Sequence, residues 1–233
     1  MRYALEGSVR RAGGHVRISI QLSETETGHQ LWSDRFDGSF EDIFALQDRV
    51  AETVAGVIEP KLRSAEIARS AAKPTEHLDA YDLYLRALPS FYALAQGRIN
   101  AALGFLRRAV TIDPGYALAK ALAAGLHVAL KVQGWQTPGN MAEGVRLARE
   151  ALASSHDDPQ VLRLAGQAIA RLAGEFDAAL EAIQRAVVIS PNSAQVLSSA
   201  GWVHLYACEP HAAAELFPRA IASVRSTQRW PTC

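Results

Sequence analysis

Cysteine is scarce in this chain: Cys208 and Cys233 are the only two among 233 residues. Two thiols cannot build a disulfide framework, which points to a reducing compartment. Net charge is absent as well, 24 basic against 24 acidic side chains, so the electrostatic footprint of a nucleic-acid or anionic-membrane binder is missing. The longest apolar run, near residues 121–130, is interrupted by His127 and is too short for a bilayer. The start, MRYALEGSVRR, lacks the apolar core of a signal peptide. There is no phosphate-binding Gly-x-x-x-x-Gly-Lys, no Gly-x-Gly-x-x-Gly, no Gly-x-Ser-x-Gly and no His-Glu-x-x-His. These absences predict a soluble, cytoplasmic protein that is not an enzyme. It is expected to hold no cofactor or metal and to touch neither nucleic acid nor membrane.

Against these gaps stands a hydrophobic content of 49%, ample for a core at this length. Residues 16–22 (VRISIQL) alternate apolar and polar, the period of a strand with one buried face. Tyr3, Leu5 and Val9 are in phase in the segment before it, and Gly13-Gly14 between the two suits a tight hairpin. A second turn at 24–28 leads into residues 29–36, so three antiparallel strands are expected. From Phe40 the period changes. Ile43, Leu46, Val50, Val54, Val57, Ile58 and Leu62 form a helical stripe, with Ser39 as N-cap and Glu41 and Asp42 in the first turn. This helix is expected to cover the sheet and to kink or end locally at Pro60, and Lys73-Pro74 marks a boundary. Three strands and a helix make a thin domain, which reads as part of something larger.

Beyond Asp79 the chain is alanine-rich, helical in period and repetitive. Ala102-x6-Ala109, Gly144-x6-Ala151, Ala179-x6-Ala186 and Ala213-x6-Ala220 share one pattern, and the last two copies lie 34 residues apart. Partner helices carry Ala124-Gly125, Ala165-Gly166 and Ala200-Gly201, and Pro114, Pro159 and Pro191 follow the second helices of the first three units. These residues resemble tetratricopeptide repeats, most sharply from Gly174 to Asn192. Small residues are needed where helices cross closely, and each hairpin has an apolar face only a neighbour can bury. The second copy departs from the pattern with an insertion at 133–140 and extra residues before Pro159. The third has one extra residue in its first helix.

The remaining motifs extend the resemblance. YALEGSVRR from Tyr3, LWSDRFD from Leu31, DIFALQD from Asp42 and AYDLYLRA from Ala80 form a distinctive series. They resemble the region after the catalytic domain in bacterial class III adenylate cyclases and in related winged-helix regulators. In those proteins a small α/β domain similar to the amino-terminal domain of TolB precedes tetratricopeptide repeats. The resemblance implies a regulatory or interaction region and supplies no catalytic residue to this chain. The expected class is α+β, mostly α. A partial α/β domain over 1–72 precedes a helical solenoid of four irregular repeats over 73–223, with an irregular tail over 224–233. The tail (SVRSTQRWPTC from Ser223) departs from the repeat and is expected to be truncated or frame-shifted.

Candidate chemistry is thin. His204 and Cys208 are one helical turn apart, but Pro210 separates them from His211 and no fourth ligand follows, which favours packed side chains over a metal. Asp157-Asp158 and Glu24/Glu26 sit in turns, and Arg10-Arg11 and Arg107-Arg108 read as solvated faces. The concave surface of the repeats is the stronger candidate, for a protein or peptide partner or for self-association. Its lining by repeat phase is Tyr84, Phe91, Leu94, Leu122, Leu126, Arg163, Gln167, Arg171, Trp202 and Tyr206. A one-residue change of phase would turn several of these into core. Three functional readings follow: an interaction module, a detached regulatory part of a cyclase, and the effector region of a transcription regulator.

Overall fold

The computed structural model describes residues 2–73, 78–92 and 95–227. It contains three strands, β1 (Tyr3–Ala12), β2 (His15–Glu24) and β3 (Gln30–Ser39). A long helix, α1 (Ile43–Ala72), follows. Two compact units divide between Ala68 and Arg69.

In the first unit the strands form an antiparallel meander in the order β1-β2-β3. Leu5 stands opposite Leu22 and Val9 opposite Ile18, while Ile18 also faces Phe36 across β2 and β3. Residues opposite each other share a face, so all of these lie on one side of the sheet. Gly13 adopts φ +60° in the first hairpin turn, a conformation that glycine reaches without steric cost. Helix α1 covers the apolar side, packing Leu46, Ile43 and Val50 against Val16, Phe36, Ile18 and Ile20. The Ser39 hydroxyl accepts the Asp42 N–H at 3.2 Å, as an N-terminal cap should. Coverage is incomplete: Leu5 remains 47% and Val9 68% exposed. A helix about 10 Å across spans about two strands at a spacing of about 4.8 Å, so β1 is left uncovered beyond Ala4.

Pro60 does not end α1, which continues to Ala72. A proline removes one intrahelical hydrogen bond, here that of the Gly56 carbonyl, and a 30-residue helix retains its remaining ladder. Farther along, the Glu66 carboxylate accepts from Arg2 at 2.9 Å and from the Tyr3 hydroxyl at 2.6 Å. Burial, reinforced by the neighbouring Glu66 carboxylate, pushes the Tyr3 pKa up to about 12.

The second unit consists of α2 (Ala80–Ala87), α3 (Gln96–Ile112), α4 (Ala117–Val132), α5 (Pro138–Ser154), α6 (Pro159–Ala168), α7 (Phe176–Ile189), α8 (Ala194–Tyr206) and α9 (Pro210–Thr227). A 3-10 turn at Leu88–Tyr92 extends α2, and a π turn at Ile169–Ala173 extends α6. The helices pair as hairpins in chain order, α2 with α3, α4 with α5, α6 with α7 and α8 with α9. The chain is therefore α+β and mostly helical, with the helical repeats after the small sheet. Helix α9 continues to Thr227, so residues 224–227 are helical rather than irregular. The rest of the expected tail lies outside the described residues.

Close crossings set the hairpin geometry. A Cβ on Gly144 would lie 2.6 Å from Leu172 Cδ1 and 2.8 Å from His127 Cβ, closer than van der Waals contact permits. On Gly125 it would meet the Phe91 ring at 2.8 Å, and on Gly201 the Phe217 ring at 2.7 Å. The π turn absorbs the extra residue of the third repeat. The Gly174 N–H reaches back five residues to the Ile169 carbonyl at 3.1 Å, and Gly174 closes the helix at φ +73°.

The start of this unit is held by a buried carboxylate. Asp82, 0% exposed, accepts from the Lys73 ammonium at 2.5 Å and lies 3.7 Å from the Arg69 guanidinium. It completes a reciprocal capping box with Asp79. Arg86 donates to the Ser70 carbonyl at 2.9 Å, which ties the last turn of α1 to α2. Burial works to raise the Asp82 pKa, but Lys73, the Asp79 N–H and Arg69 outweigh it, and the pKa is lowered. His127 is also buried, which lowers its pKa below the usual 6.5.

The tight crossings and the buried ionisable groups have measurable consequences. Gly144→Val should lower the unfolding free energy by about 2 kcal/mol or more in urea titration, the overpacking outweighing any gain in helix propensity. Both titration shifts are depressions, so each group's stabilisation is present at high pH and lost on acidification. Stability should begin to fall below pH 6.5 as His127 is forced to protonate, and fall further below pH 3.8 through Asp82. Asp82→Ala should cost about 2–4 kcal/mol at pH 7. His127→Leu should flatten the urea-midpoint profile above pH 5.

Candidate partner-binding surface

Of the ten residues expected to line the concave face, Tyr84, Leu122, Leu126, Arg163, Gln167, Trp202 and Tyr206 lie on α2, α4, α6 and α8, the first helices of the hairpins, and Phe91 and Arg171 lie in the turns that extend α2 and α6. Of those described, only Trp202 is exposed. On α2, Tyr84 is buried, stacked with Tyr81 at 6.5 Å between ring centroids and tilted against Tyr116 at 5.7 Å. Phe91 is half-buried and fills the space above Gly125, while Leu94 lies outside the described residues. On α4, Leu122 and Leu126 are core residues, 1% and 0% exposed, and present no side chain to a partner. Helix α4 packs against α3, α5 and α6, and its apolar residues from Ala117 to Leu130 are mostly buried.

On α6 the line is polar. Arg163 is buried and donates to Gln160 at 2.7 Å and to Gln195 of α8 at 3.1 Å, which makes it a link between neighbouring repeats. Gln167 and Arg171 are half-buried. Arg171 sits in the π turn, and two contacts fix its position. Its carbonyl accepts from the Lys131 ammonium at 2.6 Å, and its guanidinium lies 4.7 Å from the centre of the Tyr206 ring. Such a cation over an aromatic face contributes about 0.5–1 kcal/mol when exposed.

On α8 the line opens. Trp202 is 43% exposed, stacked on Tyr206 at 6.0 Å and edge-on to Phe217 of α9 at 5.6 Å. Arg171, Tyr206, Trp202 and Phe217 thus form one continuous ladder of a cation and three rings. The structure brings together Arg171, Trp202 and Tyr206 from the expected set, and separates from them Tyr84, Phe91, Leu122 and Leu126. The reading by repeat phase missed Phe217, Lys131, Tyr81 and Tyr116. Lys131 and Tyr116 lie next to helix ends, where only the turn geometry decides which way a side chain points.

Among the described residues there is no group of three or more His, Cys, Asp or Glu side chains able to hold a metal ion. His204 Nδ1 lies 2.6 Å from the Glu209 carboxylate, and Cys208 is exposed in a left-handed turn at φ +61°. A shallow depression of about 640 Å3 lies over the sheet, lined by Glu6, Ser8, Ser19, Gln21, Ser33 and Arg35 among others. No helix of the described residues is long and apolar enough to cross a membrane.

Comparison with known proteins bears on the fold and on the surroundings of this surface. No family model matches the chain. A relative from Rhizobium meliloti (strain 1021) named "Putative adenylate cyclase 3" is 37% identical over 165 residues, 69% of this chain. The chain spans 28% of the length of that curated relative. TTC0263, a thermophilic TPR protein of Thermus thermophilus, superposes at TM-score 0.56 and 19% identity, covering 76% of this chain and 92% of its own. The helices after the sheet have the fold of a tetratricopeptide-repeat protein.

Proposed function

We propose that the chain is a non-catalytic protein-interaction module and that its partner segment docks on the open end of the repeat face, at Arg171, Trp202 and Tyr206. The observation that carries this reading is the ladder of Arg171, Tyr206, Trp202 and Phe217, in which Trp202 is exposed and the other three are half-buried. Tryptophan, tyrosine and arginine dominate interface energetics because they bring large, rigid contact area at low entropic cost. Trp202 already leans on Phe217, so little ordering remains to be done on binding. The complementary ligand is an extended or helical segment with an apolar anchor beside a hydrogen-bond acceptor for Arg171. Residues 73–223 are read as four repeats that frame this surface, and residues 1–72 as a partial domain of the TolB amino-terminal type.

A second reading rests on the identity to the Rhizobium meliloti protein. On that reading the chain is a regulatory region that controls cyclic-AMP synthesis carried out elsewhere in a longer polypeptide or on another chain. An effector role in a transcription regulator is the third reading and has no comparable relative in its favour.

Peptides selected from a random display library against the full chain provide the probe. Trp202→Ala with Tyr206→Ala should weaken their binding at least about tenfold, with far-UV circular dichroism unchanged. Unchanged binding would remove the assignment to this surface. Purified chain incubated with ATP and magnesium or manganese is expected to yield no cyclic AMP. Turnover abolished by a substitution within this chain would overturn the non-catalytic reading.

A further inference from the structure

We infer that the segment bound at the face of the first helices is acidic, and that Lys131 and Arg171 receive its carboxylates beside the Trp202 and Tyr206 rings. The inference rests on the docking surface proposed above and adds the chemical class of the partner.

The zero net charge of the chain conceals a segregation by helix. Helix α4, helix α6 with its π turn, and helix α8 contain Lys120, Lys131, Arg163 and Arg171 and no Asp or Glu. Over residues 117–227 the carboxylates lie on the second helices or in the connecting turns, with Glu143 and Glu150 on α5, Asp177 and Glu181 on α7 and Glu215 on α9. The face built from these first helices therefore carries positive charge and no negative charge of its own. Helix α4 packs against α3 and α6, and α6 packs against α8, so the surroundings of Lys131 and Arg171 come from hairpins on both sides.

Two of these cations are occupied. Lys120 pairs with Glu150 of α5 at 3.0 Å, and Arg163 donates to the side-chain oxygens of Gln160 and Gln195 at 2.7 and 3.1 Å. Among the described residues neither Lys131 nor Arg171 forms an ion pair with a carboxylate. The Lys131 ammonium gives one of its three N–H donors to the Arg171 carbonyl at 2.6 Å. That bond holds it against residue 171, so cations from successive first helices converge on one residue. The Arg171 guanidinium lies over the Tyr206 ring at 4.7 Å, an attraction that leaves its charge unneutralised and its fork suited to a carboxylate. Trp202 stacks on Tyr206 in the same ladder, so an apolar anchor can meet the rings while a flanking carboxylate meets the cations. A neutral segment would dehydrate both charges without compensating them, and a basic one would be repelled.

The test uses the full chain and fluorescein-labelled peptides in which Asp and Glu flank a Leu-Phe anchor. Two control peptides carry Asn and Gln, or Lys, in place of the acids. Fluorescence polarisation should show the acidic peptide binding at least about tenfold more tightly than the amide peptide, and the lysine peptide more weakly than either. That advantage should shrink as salt rises from about 0.05 to about 0.5 M. Arg171→Glu keeps the backbone carbonyl that holds Lys131 and should erase the preference for acid over amide, with an unchanged circular dichroism spectrum. Arg108→Glu, the same charge change at an exposed position of α3, should leave the preference intact. Equal affinity for the acidic and amide peptides would overturn the inference. So would no binding of the acidic peptide at about 1 mM, or a preference that Arg108→Glu removes and Arg171→Glu does not. Equal affinities that still require Trp202 and Tyr206 would overturn the acidic partner and leave the surface standing. Acid-selective binding through Arg171 that ignores Trp202→Ala with Tyr206→Ala would sink the surface and leave the charge preference.

Discussion

The close approach of helices at Gly125, Gly144, Gly166 and Gly201 is the constraint on which the rest of the helical unit depends. A side chain at Gly144 would collide with both Leu172 and His127, so the crossing of α4 and α5 exists only because that position is empty. Gly166 similarly brings α6 to within 3.3 Å of the Ala179 carbonyl of α7, measured from the absent Cβ. Backbones held this near leave room for alanine cores, and Ala148, Ala151, Ala179 and Ala186 are fully buried. Each hairpin then has a fixed angle, and stacking hairpins of fixed angle generates the repeat face.

That face is not uniform, because the same geometric line serves different ends in successive repeats. In α4 it is spent on packing against its neighbours. In α6 it carries Arg163, whose bonds to Gln160 and Gln195 link one repeat to the next. At α8 it carries Trp202, which is exposed, and Tyr206, which is half-buried. The π turn contributes directly: an extra residue in α6 shifts Arg171 round the helix, its carbonyl takes the Lys131 ammonium, and its guanidinium covers Tyr206. An irregularity in the repeat thereby becomes part of the ladder.

The first unit has the opposite difficulty, too little structure for its apolar surface. One helix covers two strands, Phe36 and Val16 are buried beneath Leu46, and β1 keeps its apolar side chains and its backbone edge open. The anchoring of Tyr3 and Arg2 on Glu66 stabilises one end of that strand and leaves the remainder exposed.

Much of this was legible from residues alone. Alternation in 16–22, Gly13-Gly14, the stripe from Ile43 to Leu62 and the alanine and glycine spacing beyond residue 100 encode periods, and periods depend only on local geometry. They determined the strands, the covering helix and the paired helices. Pro60 misled because a proline breaks one hydrogen bond, while a long helix is held by many. The groove residues were legible only as a line, since spacing places Leu122, Gln167 and Trp202 on the same helical face without saying what covers that face. Burial of Leu122 and Leu126, exposure of Trp202, the partnership of Phe217 with the ladder and the sequestration of Asp82 between Lys73 and Arg69 were decided by tertiary structure. Each depends on which distant segment arrives as a neighbour, and no local period carries that information.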